Sequence, residues 1–344
     1  MGILRYFGWA ILFTFIGIAA SAWLGWLETQ TLSSVYSYVF ICSVLAILEI
    51  SLSFDNSIVN ARILNEMQPK WQDRFLTWGI IIAVFGMRII FPLLVVAIAA
   101  WINPIAALKL AIWQPQLYAK TISDAHVAIA AFGGTFLLMV AIKFFFDSDK
   151  SVHWIAAIEK PAQKLASIHY LDIVIVLIVI VIFTIPIKQT AEYTFLLAAV
   201  FGLITFIAIE ALGTILDYEK PLLQDAVKGG LGAFIYLEVL DASFSFDGVI
   251  GAFALSTNLF IIAIGLGIGA FYVRSMTILL VEKGTLAQYR YLEHGAFYAI
   301  LILALIMFLQ TFSHIPEYIT GLIGVAFIVF SFVSSLVYNR KYRK

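Results

Sequence analysis

The stretch Glu49-Ile-Ser-Leu-Ser-Phe-Asp55-Asn56 sits inside an apolar run at 36–62, and Asp241-Ala-Ser-Phe-Ser-Phe-Asp247-Gly248 sits inside another at 228–256. An acid, two serines, a phenylalanine and an aspartate recur in the same order and spacing, with no gap. Acids are rare in segments long enough to cross a bilayer, because each costs about 2.5–3.5 kcal/mol near a helix centre. Two copies in two such segments therefore mark an internal repeat.

The rest of the chain agrees with a membrane setting. Of its 344 residues 62% are hydrophobic and 12% charged, with a mean hydropathy of +1.00. Soluble domains run at about 45–50% apolar and about 25% charged, and one or two soluble cores could not hide this much apolar surface. The same figures exclude disorder, collagen and a disulfide scaffold. A net charge of zero leaves no field to recruit nucleic acid. The lone Cys42 supports neither an internal disulfide nor a thiolate metal motif.

Apolar runs between polar or proline breaks predict an all-α, polytopic helix bundle of about ten spans. They fall near 5–27, 36–62, 75–101, 124–146, 171–188, 193–216, 228–256, 259–281, 291–312 and 317–338. Residues 103–121, with Trp113 and Tyr118 around Pro104 and Pro115, read as an interfacial stretch. With ten spans, 15 of the 21 basic residues fall on one side and 3 on the other, leaving Arg88, Lys143 and Arg274 inside spans. That asymmetry places both termini in the cytoplasm, in a multi-pass cytoplasmic membrane protein. Ala20-Ser21-Ala22 resembles a cleavage site, but the early apolar run behind a single basic residue favours an uncleaved first span.

The motif spans are five apart, so the copies cross in opposite directions. Five spans followed by five inverted spans is a transporter architecture with its site at the midplane. We expect a first repeat at 1–190, containing a cytoplasmic loop at 147–170, and a second at 191–344 with a basic tail. Arg88 in the third span and Arg274 in the eighth are a weaker echo of the same repeat.

Glu49, Asp55, Glu238, Asp241 and Asp247 would together cost on the order of 12–17 kcal/mol if left uncompensated. A cation, protons or a paired arginine must offset that. Six residues turn a helix by about 600°, so Glu49 and Asp55 would point about 120° apart. A break near the Ser-x-Ser-Phe-Asp stretch of each copy would bring both ends into one site. Ser51, Ser53, Asn56, Ser57 and Asn60 in one half and Ser243, Ser245, Gly248 and Gly251 in the other supply the polar or small residues. Irregular backbone at that depth must line a cavity or lie buried in protein. The expectation is two acid-bearing broken helices around one oxygen-rich pocket. Oxygen donors without thiol or imidazole suit Mn²⁺, Mg²⁺ or Ca²⁺, with surplus carboxyls free to exchange protons.

The paired motifs, specific at 48–60 and 237–252, resemble the TerC superfamily of integral membrane proteins over roughly 36–312. The resemblance implies Mn²⁺ export through acids of both motifs and an association with tellurite resistance. Carried over, it implies Glu49, Asp55 and Asn56 from one half and Glu238, Asp241 and Asp247 from the other as metal ligands. Gly248 and four further spans depart from the better understood relatives.

Ser53, Ser245, Arg88 and Arg274 are expected along the pathway or as charge partners, the arginines as structural partners or gates. The five histidines are expected at interfaces, Glu210 at the cytoplasmic surface, and Gly265 and Gly269 in helix packing. An aspartyl protease dyad lacks its Gly-x-Gly-Asp sequence, and no other catalytic motif is present, so no enzyme is expected. Divalent metal, protons and lipid are the expected partners, with the metal as cargo and no resident cofactor. The alternative is a membrane scaffold in a tellurite-type resistance system, which would tolerate Asn at positions 55 and 247.

Overall fold

The structure is a computed structural model that describes residues 4–79, 81–99, 102–148, 150–218, 230–256, 258–284, 288–313, 315 and 317–342. The described residues are helical almost throughout and contain no strand. In chain order the helices are α1 (Leu4–Thr29), α2 (Leu32–Leu52), α3 (Phe54–Glu66) and α4 (Pro69–Arg74). Two π-helical segments, Phe75–Gly79 and Ile82–Ile90, lead into α5 (Phe91–Ala99), α6 (Pro104–Trp113) and α7 (Pro115–Asp124). The remainder are α8 (His126–Phe145), α9 (Ala156–Leu165), α10 (Leu171–Thr184), α11 (Gln189–Tyr218), α12 (Leu231–Leu255), α13 (Leu259–Glu282), α14 (Leu292–Gln310) and α15 (Glu317–Tyr342).

Each apolar run expected to span is helical, but not all ten are complete spans. Among the described residues seven helices are long and apolar enough, in α1, α2, α8, α11, α13, α14 and α15. A bent pair, Pro69–Gly79 with Ile82–Leu94, turns by 46° and has the form of a broken span or a re-entrant loop. The other two differ for separate reasons. α10 has only 14 residues, about 21 Å at 1.5 Å per residue against roughly 30 Å of hydrocarbon. α12 has 25 residues, and Glu238, Asp241 and Asp247 take it out of the apolar class. The 103–121 stretch forms α6 and α7, two ten-residue helices that each begin on a proline and are too short to cross.

The core runs through both halves of the chain. α8 lies at its centre, with Phe136, Leu137, Leu138 and Met139 fully or almost fully buried. Around it pack α11, α12 and α14, with Phe206, Leu240 and Phe308 in the same cluster. Small residues allow these close approaches. A Cβ at Gly202 of α11 would fall 2.4 Å from the carbonyl oxygen of Phe132 on α8. α13 packs on α2 as Gly265 and Gly269 led us to expect. A Cβ at Gly265 would fall 2.6 Å from Leu45, and one at Gly269 would fall 2.4 Å from Glu49. The outer helices present Trp9, Phe15, Trp23 and Phe40 outward, the apolar surface that a lipid environment covers.

Candidate functional site

The first motif breaks its helix at one residue. α2 stops at Leu52, and Ser53 (φ −103°, ψ 14°) caps it with an N–H bond to the Glu49 carbonyl. α3 then starts at Phe54. Local side-chain bonds compete with the helix ladder here. The Asn56 N–H donates to Asp55 Oδ1 at 2.9 Å, and Ser57 Oγ donates to the Phe54 carbonyl at 2.6 Å. The second motif does not break. α12 runs unbroken from Leu231 to Leu255, which corrects the expectation of two broken helices. Ser243 Oγ donates to the Val239 carbonyl four residues back, as the aligned Ser51 does to the Ile47 carbonyl in the first copy.

The two copies meet. Asp241 Oδ1 on α12 accepts from Asn56 Nδ2 at 2.9 Å and from Asn60 Nδ2 at 2.8 Å. The two asparagines are four residues apart, so α3 presents both on one face. Glu49 forms a buried ion pair with Arg88 and accepts from Ser53 Oγ at 3.0 Å. Arg88 lies in a π-helical segment, and its second guanidinium nitrogen donates to the Ala83 carbonyl five residues back. Such π-helical turns are rare and often accompany functional sites.

These groups line one cavity of about 50 Å³, with Ser53 and Ser245 in its wall and Arg274 reaching it from α13. A void of that size admits a few water molecules. Its acceptors are left wanting. Asn56 Oδ1, Asn60 Oδ1 and Ser245 Oγ are buried without a hydrogen-bond partner among the described residues. Glu238 is not in the cavity lining, and both its carboxyl oxygens are likewise buried without a partner among the described residues. Glu238 stands one turn before Asp241, beside Gly79 of the bent span.

The expected ligand set is divided. Glu49, Asn56 and Asp241 share the cavity, but Asp55 does not. It is buried on another side of α3, in a small cavity of about 10 Å³ with Phe244 of α12 and Thr320, Gly321 and Gly324 of α15. The break at Ser53 leaves the angular separation of Glu49 and Asp55 in place. Asp247 belongs to α12 by its backbone, and its side chain lies outside the described residues. Among the described residues no three His, Cys, Asp or Glu side chains converge on a metal-holding point. The cavity instead combines carboxylates with amide and hydroxyl oxygens. Asn60 was legible only as part of a polar cluster; its place four residues after Asn56 was the signal.

A second charged cluster joins α9 and the segment before it to the first turns of α14. Glu159 of α9 is fully buried and meets Lys150 Nζ at 2.8 Å, His294 Nε2 at 3.3 Å and His153 Nδ1 at 3.6 Å. The Trp154 and Ile155 N–H groups and the Tyr298 hydroxyl donate to its other oxygen. Burial alone would raise this carboxyl, but the bonds from His294, Lys150 and Ile155 outweigh it and hold Glu159 at about 2. Burial pulls the Lys150 ammonium down, against the pull of Glu159. His294 is thus a buried partner in the first turn of α14, while His314 lies outside the described residues. Glu210 is half exposed and pairs with Lys143 at 2.9 Å.

Residues 54–342 match the family described as a protein of unknown function, DUF475. That is well over half of the chain, which belongs to this family. No curated protein and no solved structure matches it.

Breaking a buried ion pair from one side costs about 3–5 kcal/mol, whereas replacing both partners with apolar residues is often neutral. Arg88→Leu is expected to lower the unfolding midpoint in detergent strongly, and Glu49→Leu with Arg88→Leu to recover most of the loss. An unchanged midpoint for the single variant would show that the pair carries no such burden. Glu159 has a lowered folded-state value, so its contribution is complete above the ordinary carboxylate range of about 4.5 and fades as pH falls toward 2. The stability gap between wild type and Glu159→Gln should stay level from neutral pH to about 5.5 and shrink below it. A gap that does not narrow in acid would contradict that assignment.

Proposed function

We propose that this chain is a cytoplasmic-membrane transporter that exports a divalent cation, Mn²⁺ foremost, through the cavity between its two acid motifs, in exchange for protons. The observation that carries the proposal is the set of buried, unpartnered oxygens around Asp241: Asn56 Oδ1, Asn60 Oδ1 and Ser245 Oγ. Buried polar atoms are rarely left unpaired without a reason. Oxygens gathered around a carboxylate suit a hard cation. The void of about 50 Å³ leaves room for such an ion to keep part of its hydration shell.

Asp241 supplies charge, Asn56 and Asn60 hold it from the other half and offer carbonyl oxygens, and Ser53 and Ser245 complete the wall. Glu238, one turn away with both oxygens free of partners, is the candidate to carry the exchanged proton. Asp55 keeps a place in the proposal as an acid of the pathway rather than as a ligand of this cavity, and Asp247 keeps its place as an acid of the second motif. The Mn²⁺ cargo is the one that the TerC resemblance implies, while the ligand set proposed here keeps only Asn56 and Asp241 of the six residues it implies.

Helix packing supports a two-fold relation between the halves, as an inverted repeat requires. α2 packs on α13, and α12 on the Arg88 segment; α3 packs on α14, and α12 on α8. These are the pairings that exchange of the two halves would generate. The Glu49–Arg88 pair favours the scaffold reading for its own half, since it neutralises one acid without any cargo.

Metal content by mass spectrometry decides between the two. Cells expressing the chain under Mn²⁺ challenge should hold several-fold less Mn than cells expressing Asp241→Asn at equal membrane abundance. Unchanged content of every metal in both would move the scaffold reading ahead.

A further inference from the structure

The two motif copies are in opposite conditions. In the first, the acid Glu49 is closed onto Arg88, the helix is broken at Ser53, and the arginine's own span is π-helical. In the second, the matching acid Asp241 is held by Asn56 and Asn60, α12 is unbroken, and α13 is a regular helix from Leu259 to Glu282. Arg274 corresponds to Arg88, since each stands in the helix that follows its motif. It lines the same cavity as Asp241, yet it makes no ion pair or hydrogen bond among the described residues, and its Nε is buried without a partner.

We infer that Arg88 and Arg274 are two alternating gates: when Arg274 closes onto Asp241, Arg88 releases Glu49, and the cavity changes the side of the membrane it faces. This inference rests on the transport proposal and adds the device that drives it. Arg274 is partly buried and its Nε is out of water without a partner, which is costly, so a conformation that pairs it has an electrostatic reward. Each state then holds one closed arginine–acid pair, which keeps the two states close in free energy, as exchange of matching halves requires.

Cargo release follows from the same contacts. Asp241 shares a cavity with Arg274 and, in the transport proposal, takes the cation, and it cannot satisfy both. Arg274 acts as a tethered substitute that displaces the ion from Asp241 as its gate closes. When Arg274 withdraws, Asn56 and Asn60 hold the carboxylate in the geometry seen here, open to the next ion. Arg88 and Arg274 are positioning residues in this scheme, since neither is a ligand of the cation.

The test reads access rather than transport. A Thr277→Cys reporter on the cavity wall, in a Cys42→Ser background, is labelled with a membrane-impermeant maleimide. Labelling is compared between intact cells and inside-out vesicles. Glu49→Gln frees the first gate and should shift the ratio of outer to inner labelling several-fold one way. Asp241→Asn disables the second gate and should shift it several-fold the other way. Arg88→Gln should follow Glu49→Gln, and Arg274→Gln should follow Asp241→Asn, so that one poorly folding variant does not decide the result. Shifts in the same direction, or no shift among variants that remain monodisperse, would overturn the inference. Labelling needs no cargo, so opposite shifts without metal efflux would sink the transport proposal and leave the gates standing.

Discussion

A charge placed among apolar helices has to find a partner, and much of the middle of this molecule is arranged around that requirement. Glu49 is the clearest case. It pairs with Arg88 and takes a bond from Ser53, and the neighbouring helices leave space for it. A Cβ at Gly269 would fall 2.4 Å from the Glu49 side chain, and one at Gly248 would fall 3.1 Å from its carboxylate. Glycine at those two positions lets α13 and α12 close over the ion pair. The helix break at Ser53 and the π-helical segment around Arg88 are the backbone's share of the same arrangement.

The cavity beside that pair is close to balanced in formal charge and uneven in partners. Glu49 and Arg88 cancel, while Asp241 and Arg274 oppose each other in sign but do not touch. Two asparagines fasten Asp241 with their amide nitrogens and leave their carbonyl oxygens unsatisfied. A fully satisfied network would make a rigid structural core. One with free acceptors beside a carboxylate is chemically suited to take up a small hard cation.

The sequence made the membrane setting legible through composition, and the helices through their apolar runs. It also exposed the two motifs and the first break, because Ser53, Asp55 and Ser57 are residues that bond locally to the backbone. It misled over the second break for a physical reason. Val249 stands where the first copy has Ser57, so the hydroxyl bond to the backbone that accompanies the first break has no counterpart in α12. Asp55 belongs to the motif in sequence, yet packing puts it in a different cavity from Glu49. The Glu159 cluster was hidden because its members come from residues 150, 153, 159, 294 and 298, which only tertiary packing brings together.

The most direct test of the central claim is a Mn²⁺ titration of the purified protein in lipid nanodiscs, followed by electron paramagnetic resonance. The six-line signal of free aqueous Mn²⁺ should be lost up to one ion per chain, and Asp241→Asn should abolish that loss without altering the fold. A free-ion signal undiminished by the wild-type protein, or equal binding by Asp241→Asn, would contradict a cation site built around Asp241.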